Sequence, residues 1–207
     1  MGAPVFLITD IRVINEQKFE DYRQAMGVAI EAHGGRFLAL GQEPKVIEGG
    51  WSPSRMSIAE FPDAGAARGF QASSQYRDAC QLSHNCAMVD LVLAGGIKPA
   101  RHAGAVSAPA YAVADTRVVN RARFEELSQS INDAVHEYHG RHLVWSNQVQ
   151  TVEGNWAPTL LTLLEFPDYA AALDIYASLA YRQTHQLLSN AAMIDLLLLR
   201  GIGANAG

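Results

Sequence analysis

The sequence predicts an α+β protein built from two ferredoxin-like βαββαβ repeats that pack sheet to sheet within one chain. The first observation is a duplicated phrase: EGGWSPSRMSIAEFPD, residues 48–63, recurs as EGNWAPTLLTLLEFPD, residues 153–168. The second is a constant offset of 105 residues, which holds without a gap from Phe6 to Ile97. The third is the order of strand and helix patterns, which is the same in both copies.

The repeat boundaries follow from this offset. We predict a first repeat over residues 1–97, a linker over 98–109, a second repeat over 110–202 and a tail over 203–207. The linker KPARHAGAVSAP is rich in Ala, Gly and Pro, as joints between domains often are.

The first half of each repeat predicts a strand followed by a helix. VFLITDIRV, residues 5–13, is apolar and rich in β-branched residues, which indicates a buried strand. Asn15 then stands at the N-cap position of a helix, and Asn120 repeats it. Apolar residues follow at helical spacing, and the pair Gly34-Gly35 ends the helix.

The middle of each repeat predicts a hairpin. Arg36–Leu40 and Val46–Glu48 form a second strand that is interrupted near Gly41. Gly49-Gly50 then turns the chain into a third strand, Arg55–Phe61.

The last part of each repeat returns to helix and then to strand. Asp63 is a good cap for a second helix, which breaks near Ser73 and continues from Tyr76. Met88–Ala94 is the fourth strand. Both faces of the first strand are apolar, so an uncovered sheet face needs a partner, and the second repeat supplies it.

Composition limits the classes of function. The net charge is −5 and no Lys/Arg run occurs, which argues against nucleic-acid binding. The longest apolar run, AAMIDLLLLRGI, contains Asp195 and is too short to span a bilayer, so no membrane partner is expected. The N-terminus lacks the basic region of a signal peptide, and Cys80 and Cys86 have a spacing that disfavours a disulfide. A cytoplasmic protein is therefore expected.

The repeated motifs resemble a known family. The series D-I-R-V-x-N, H-G-G-R-F-L, E-G-G-W-S-P-S-R, A-E-F-P-D and S-x-x-Y-R is similar to the family called domain of unknown function 1330. That family belongs to the dimeric α+β-barrel superfamily, so the resemblance implies that two fused repeats form an intrachain version of the barrel. The wider superfamily includes cofactor-free monooxygenases, muconolactone-type isomerases, polyketide cyclases and haem-binding branches.

Three classes of function are compatible with these patterns. The leading hypothesis is a small enzyme without a cofactor that acts on an apolar, oxygenated small molecule through proton transfer, as a monooxygenase, isomerase or cyclase. The alternative is a non-catalytic protein that binds or carries a small molecule. The third is a structural oligomer, and a homo-oligomer of the fused pair is a possible assembly in any of these cases.

The catalytic candidates lie mainly in the second repeat. His142 replaces Phe37 of the first repeat on a strand and is the acid–base candidate, because histidine titrates near neutrality. Asp195 interrupts an apolar strand and is its expected partner or the base itself, although a hydrogen-bonded structural Asp is the commoner outcome. Tyr181 and Trp145 are expected to orient the substrate, with Trp145 on the opposite strand face from His142.

Further candidates have an equally plausible structural role. Glu165 is either a general base or the partner of Arg141 at a strand end. The string HEYHGRH suggests a metal site, but Gly140 breaks the helix that holds its first two histidines, so no metal is predicted. The remaining substrate-binding candidates, each of which could instead pack or bond structurally, are Asn147, Arg141, Trp156, His185, Asp90, Tyr76 and His33.

Overall fold

The computed structural model describes residues 2–97 and 108–203, which leaves most of the predicted linker and tail outside the described residues. The elements of the first repeat are β1 (Val5–Val13), α1 (Glu16–Ala32), β2 (Arg36–Gln42), β3 (Lys45–Glu48), β4 (Arg55–Phe61), α2 (Ala64–Ala72), α3 (Ser74–Ser83) and β5 (Ala87–Gly95). The elements of the second repeat are β6 (Ala110–Val118), α4 (Arg121–Glu137), β7 (Arg141–Ser146), β8 (Val149–Glu153), β9 (Leu161–Phe166), α5 (Tyr169–Ala177), α6 (Leu179–Leu188) and β10 (Ala192–Arg200).

The helices begin where the cap residues predict. The Asn15 side chain accepts a hydrogen bond from the Lys18 amide at 3.1 Å, and Asn120 accepts one from Arg123 at the same distance. These bonds satisfy one of the orphan amides of the first helical turn. Ser73 has an extended backbone, ends α2 and caps α3, which accounts for the predicted break.

The first compact unit combines one repeat with a strand of the other. Its antiparallel sheet has the order β2-β4-β1-β5-β8, and α1, α2 and α3 belong to the same unit. The order of its first four strands is that of the ferredoxin-like fold, with β1 central and paired to β4 and β5. Leu7 and Ile11 of β1 are buried in one core with Phe19 and Tyr22 of α1.

The second compact unit has the same design. Its sheet has the order β3-β10-β6-β9-β7 and it contains α4, α5 and α6. Every described pairing in both sheets is antiparallel. Two five-stranded antiparallel sheets with their helices confirm the predicted two-repeat α+β architecture. The domain boundaries drawn from the sequence stay a prediction.

The predicted hairpin is wrong, because β3 does not pair with β4. Gly41, near the end of β2, adopts a positive φ of 55° where the register of β2 against β4 shifts. Residues 43–44 then lead to β3, which pairs with β10. Reciprocally, β8 pairs with β5. We call β3 and β8 the exchanged strands. Across the described part of the chain, no helix is long and apolar enough to cross a membrane.

Candidate functional site

A cavity of about 60 Å³ lies between the sheet and the helices of the second unit. Aliphatic side chains and two threonines form most of its wall. Four larger side chains add aromatic rings with polar N–H or O–H groups: His142, Trp145, Tyr176 and Tyr181. Three of these four were predicted from the sequence. An apolar cavity with a few polar groups is the usual form of a small-molecule site.

A bulge in β7 brings His142 and Trp145 together. The register of β7 against β9 shifts between His142 and Val144, so His142 lies opposite Leu164 and Trp145 opposite Thr162. Leu164 and Thr162 are two residues apart on β9 and both line the cavity. The prediction that Trp145 faces away from His142 is therefore wrong, since the extra residue returns it to the same face. The two rings lie 5.3 Å apart, edge to face.

His142 is held in its neutral form. Burial lowers the pKa of this imidazole below its ordinary value of 6.5, and the nearby His136 lowers it further. Because charging a buried group is costly, the ring is neutral at pH 7 and one of its nitrogens can accept a proton.

The two tyrosines bring hydroxyl groups into this apolar setting. Burial raises the pKa of Tyr176 and of Tyr181 far above 10, so both hydroxyls stay protonated. Their rings lie 5.0 Å apart, edge to face. Within residues 2–97 and 108–203 the buried Tyr176 hydroxyl has no hydrogen-bond partner. A buried hydroxyl without a partner is costly, and a polar ligand atom would satisfy it.

Next to Tyr181 lies a hydrogen-bonded His–Glu pair that the sequence did not reveal. His185 Nε2 lies 2.5 Å from Glu48 Oε1, and the His185 ring stacks on Tyr181 with 6.0 Å between centroids. Glu48 comes from the exchanged strand β3. In the first unit the equivalent Glu153 accepts from Tyr76 at 3.4 Å and from Cys80 at 3.6 Å, and burial raises its pKa. The recurrence of Glu in E-G-x-W was the available signal.

Asp195 and Asp90 hold the turns after the exchanged strands. Asp195 Oδ1 accepts hydrogen bonds from the amides of Gly50 at 2.7 Å and Trp51 at 2.9 Å. Asp90 Oδ1 does the same for Asn155 at 2.5 Å and Trp156 at 2.9 Å.

The proposed pairing of Asp195 with His142 is corrected by this geometry. Ile194 and Leu196 of β10 line the cavity, and because side chains alternate along a strand Asp195 lies on the other face.

Glu165, Arg141 and His33 have structural partners. Glu165 is only 8% exposed, lies 2.5 Å from Arg141 Nε and accepts a hydrogen bond from Tyr111 at 3.1 Å. This is the strand-end pair that was the alternative to a general base, and Arg36 with Glu60 forms its equivalent. His33 Nδ1 lies 2.9 Å from the Ala29 carbonyl oxygen. No group of three His, Cys, Asp or Glu side chains in the described ranges could hold a metal ion.

A wider cleft of about 490 Å³ adjoins the cavity and shares Phe124 and Trp145 with it. These two rings are stacked, 6.2 Å apart and 28° from parallel. Arg117, Arg121 and the predicted Asn147 line the outer cleft. The second unit thus has a two-part site, an inner apolar cavity and an outer cleft with cationic side chains.

The first unit fills the equivalent space. Phe37 and Phe70 occupy the positions of His142 and Ile175, and only about 20 Å³ of cavity remains. Phe70 packs between Phe61 at 5.1 Å and Tyr76 at 4.7 Å. The two repeats therefore keep one fold, but the cavity of the second unit, about 60 Å³, is larger than that of the first, about 20 Å³.

A comparison with protein families matches both repeats. A family model described as "Domain of unknown function (DUF1330)" matches residues 4–97 and again residues 109–202. No curated protein matches the chain.

Solved structures share the fold at low identity. Two are described as "putative monooxygenase". The one from Lactobacillus acidophilus NCFM is 13% identical, and the match covers 98% of this chain and 100% of that chain with a TM-score of 0.54. The one from Fusobacterium nucleatum subsp. nucleatum ATCC 25586 is 12% identical, and the match covers 97% of this chain and 93% of that chain with a TM-score of 0.55. An "anthrone oxidase-like protein" is 8% identical, covers 98% and 92%, and has a TM-score of 0.58. At these identities the likeness concerns the fold alone.

Proposed function

Both repeats of the chain belong to the family described as domain of unknown function 1330, and from this membership and the cavity of the second unit we propose an enzyme that transfers a proton on an apolar, oxygenated small molecule. The reaction uses the chain's own side chains and belongs to the monooxygenase, isomerase or cyclase type, each of which can begin with removal of a proton. The observation that carries the proposal is the half-buried, neutral His142 in the same cavity as Tyr176 and Tyr181.

His142 acts as the general base in this proposal. Its lowered pKa keeps the imidazole neutral, so it accepts a proton from a C–H or O–H group of the substrate and later returns it. The unpaired Tyr176 hydroxyl donates a hydrogen bond to the substrate oxygen on which negative charge develops. Trp145 and Phe124 hold the apolar body.

Proton abstraction can be tested without knowing the product. The protein is incubated in D₂O with a panel of aromatic ketones and quinols, and deuterium incorporation into the substrate is followed by NMR. We expect His142→Gln to slow incorporation by roughly a hundredfold or more, because general-base catalysis contributes about that much. Phe37→Gln, at the equivalent position of the first repeat, is the matched control and should leave the rate unchanged.

Ile175→Phe tests whether the cavity of the second unit is the ligand site. This variant gives the second repeat the side chain that fills the first, so it should abolish both binding and deuterium incorporation. Incorporation that is unaffected by His142→Gln would contradict the enzyme proposal.

A carrier is the second candidate, and one observation favours it. No carboxylate lies among the described residues that line the cavity, and half of these residues are aliphatic. Binding that is lost in Ile175→Phe, with no deuterium incorporation by the unmodified protein, would support a carrier over an enzyme.

A further inference from the structure

The outer cleft of the second unit indicates which class of molecule the cavity accepts. We infer that the substrate is a carboxylic acid whose apolar body enters the inner cavity while its carboxylate lies against Arg117 and Arg121. This inference rests on the proposed function, since it concerns the ligand of the same cavity.

The two parts of the site are adjacent, because Phe124 and Trp145 line both of them. The inner cavity of about 60 Å³ is smaller than the roughly 150 Å³ that accommodates benzene in an engineered apolar cavity. It therefore holds only part of a ligand, and the rest must extend past Phe124 and Trp145 into the outer cleft of about 490 Å³. The nearly parallel rings of these two residues suit a flat body at the junction.

The arginines of the outer cleft have spare binding capacity. The side chain of Arg117 makes no hydrogen bond or ion pair with the described residues. Arg121 pairs with Glu125 through Nε at 2.7 Å, but both side chains are exposed, at 87% and 62%. Such surface pairs are weak, and the terminal guanidinium nitrogens of Arg121 remain able to bind a carboxylate. Arg121 also begins α4, where the helix dipole favours an anion.

The first unit lacks this arrangement at the same place. Glu16 occupies the position of Arg121, and Arg55 occupies that of Leu160. Arg55 Nη2 lies 3.0 Å from Glu16 Oε2, and its guanidinium lies 5.9 Å from the centre of the Phe19 ring. The ion pair neutralises the cleft beside a filled cavity. The larger cavity of the second unit thus adjoins a cleft lined by two arginines and one glutamate, whereas the cleft of the first unit, about 290 Å³, is lined by two arginines and two glutamates.

The inner end of the ligand carries an oxygen. The buried Tyr176 hydroxyl has no hydrogen-bond partner among the described residues, and the neutral His142 ring lies in the same cavity. A carbonyl or hydroxyl group at this end satisfies both. The substrate class is therefore a flat, apolar keto or hydroxy acid, with its oxygen inside and its carboxylate outside.

A matched pair of probes tests the charge. Calorimetry compares 6-hydroxy-2-naphthoic acid with its neutral amide, at low and at high salt. We expect the acid to bind roughly tenfold more tightly than the amide, because charge-assisted hydrogen bonds are about twice as strong as neutral ones. High salt should reduce this preference. The double variant Arg117→Met with Arg121→Met should remove it, whereas Arg12→Met, at the equivalent position of Arg117 in the first repeat, should preserve it.

The outcomes separate this inference from the proposed function. If acid and amide bind equally and Ile175→Phe abolishes both, the carboxylate inference is overturned while the cavity remains the ligand site. If the preference for the acid survives the double arginine variant, the inference is likewise overturned. If Ile175→Phe leaves the binding of both probes intact, the ligand lies elsewhere, and the proposed function and the inference both fail.

Discussion

Gly49 and Gly154 explain why the phrase E-G-x-W occurs twice. Their φ angles are +82° and +77°, a region that disfavours residues with a Cβ atom. A Cβ at Gly49 would also lie 2.1 Å from Asp195 Oδ1, and one at Gly154 equally close to Asp90 Oδ1. Each glycine therefore allows a carboxylate to approach the turn. The repeated Gly and Asp together form the same turn in both repeats.

We predict that Gly49→Ala lowers the free energy of unfolding by about 2 to 4 kcal/mol, from backbone strain combined with the clash. Gly50→Ala is the matched control, because a Cβ there meets nothing within 4 Å and the second repeat already has Asn155 at this position. Chemical denaturation measures both. Equal losses in the two variants would contradict this account of the turn.

The half-buried imidazole of His142 predicts a pH-dependent stability. Its pKa in the folded protein is below 6.5, so the unfolded chain takes up a proton more readily. The contribution of the neutral ring to the free energy of unfolding is fully present above pH 6.5. It is lost as the pH falls below that value. His142→Phe carries the side chain of the first repeat and lacks this loss. The difference in unfolding free energy between the two proteins should therefore change in favour of the variant from pH 7 to pH 5, and a constant difference would contradict burial.

At the scale of elements, local patterns were sufficient for the strands and helices but not for their pairing. Asn15, Asp63 and Ser73 mark helix boundaries through hydrogen bonds to residues two or three positions away, which a sequence displays directly. The pairing of β3 with β10 joins residues nearly 150 positions apart and leaves no local trace.

The site was predictable to the same extent. His142 stood out because it replaces Phe37, and Tyr181 recurs from Tyr76. The bulge that turns Trp145 inward could not be foreseen, since β-bulges have no strong sequence signature when no Gly marks them. Glu48 was missed because its partner, His185, lies in the other repeat.

The exchanged strand β3 should depend on the carboxylate that holds its turn. Asp195→Ala leaves the amides of Gly50 and Trp51 without their acceptor, and we predict a loss of about 1 to 3 kcal/mol in unfolding free energy. Hydrogen exchange should increase in residues 45–51 more than in β2. Asp195→Asn keeps an acceptor oxygen and should show a smaller effect. Equal exchange in β2 and β3 would show that Asp195 does not hold this strand.

At the scale of the whole molecule, duplication has produced two units with different interiors. The first keeps an aromatic core around Phe70, and the second replaces it with Ile175 and retains a cavity. The aromatic core of one copy can thus stabilise the fold, while the cavity of the other can bind a ligand. This division follows from individual side chains, since strand order is the same in both sheets.

We predict that each chain binds one ligand molecule. Calorimetry with 6-hydroxy-2-naphthoic acid should give a stoichiometry near one, because the first unit has no comparable cavity among its described residues. Phe70→Ile should lower the unfolding free energy by about 1 to 3 kcal/mol without adding a second site, since Phe37 still occupies the space. Two equivalent sites in the unmodified protein would contradict the asymmetry.

The exchanged strands also determine when each sheet can acquire its last strand during translation. The sheet that contains β1 is completed by β8, residues 149–153. The ribosome synthesises these residues only after the whole first repeat. Until then the β5 edge of the nascent sheet has unpaired backbone amides and carbonyls, a surface that invites association with other chains. A chain that stops before residue 149 lacks β8, and no other strand among the described residues pairs with this edge of β5.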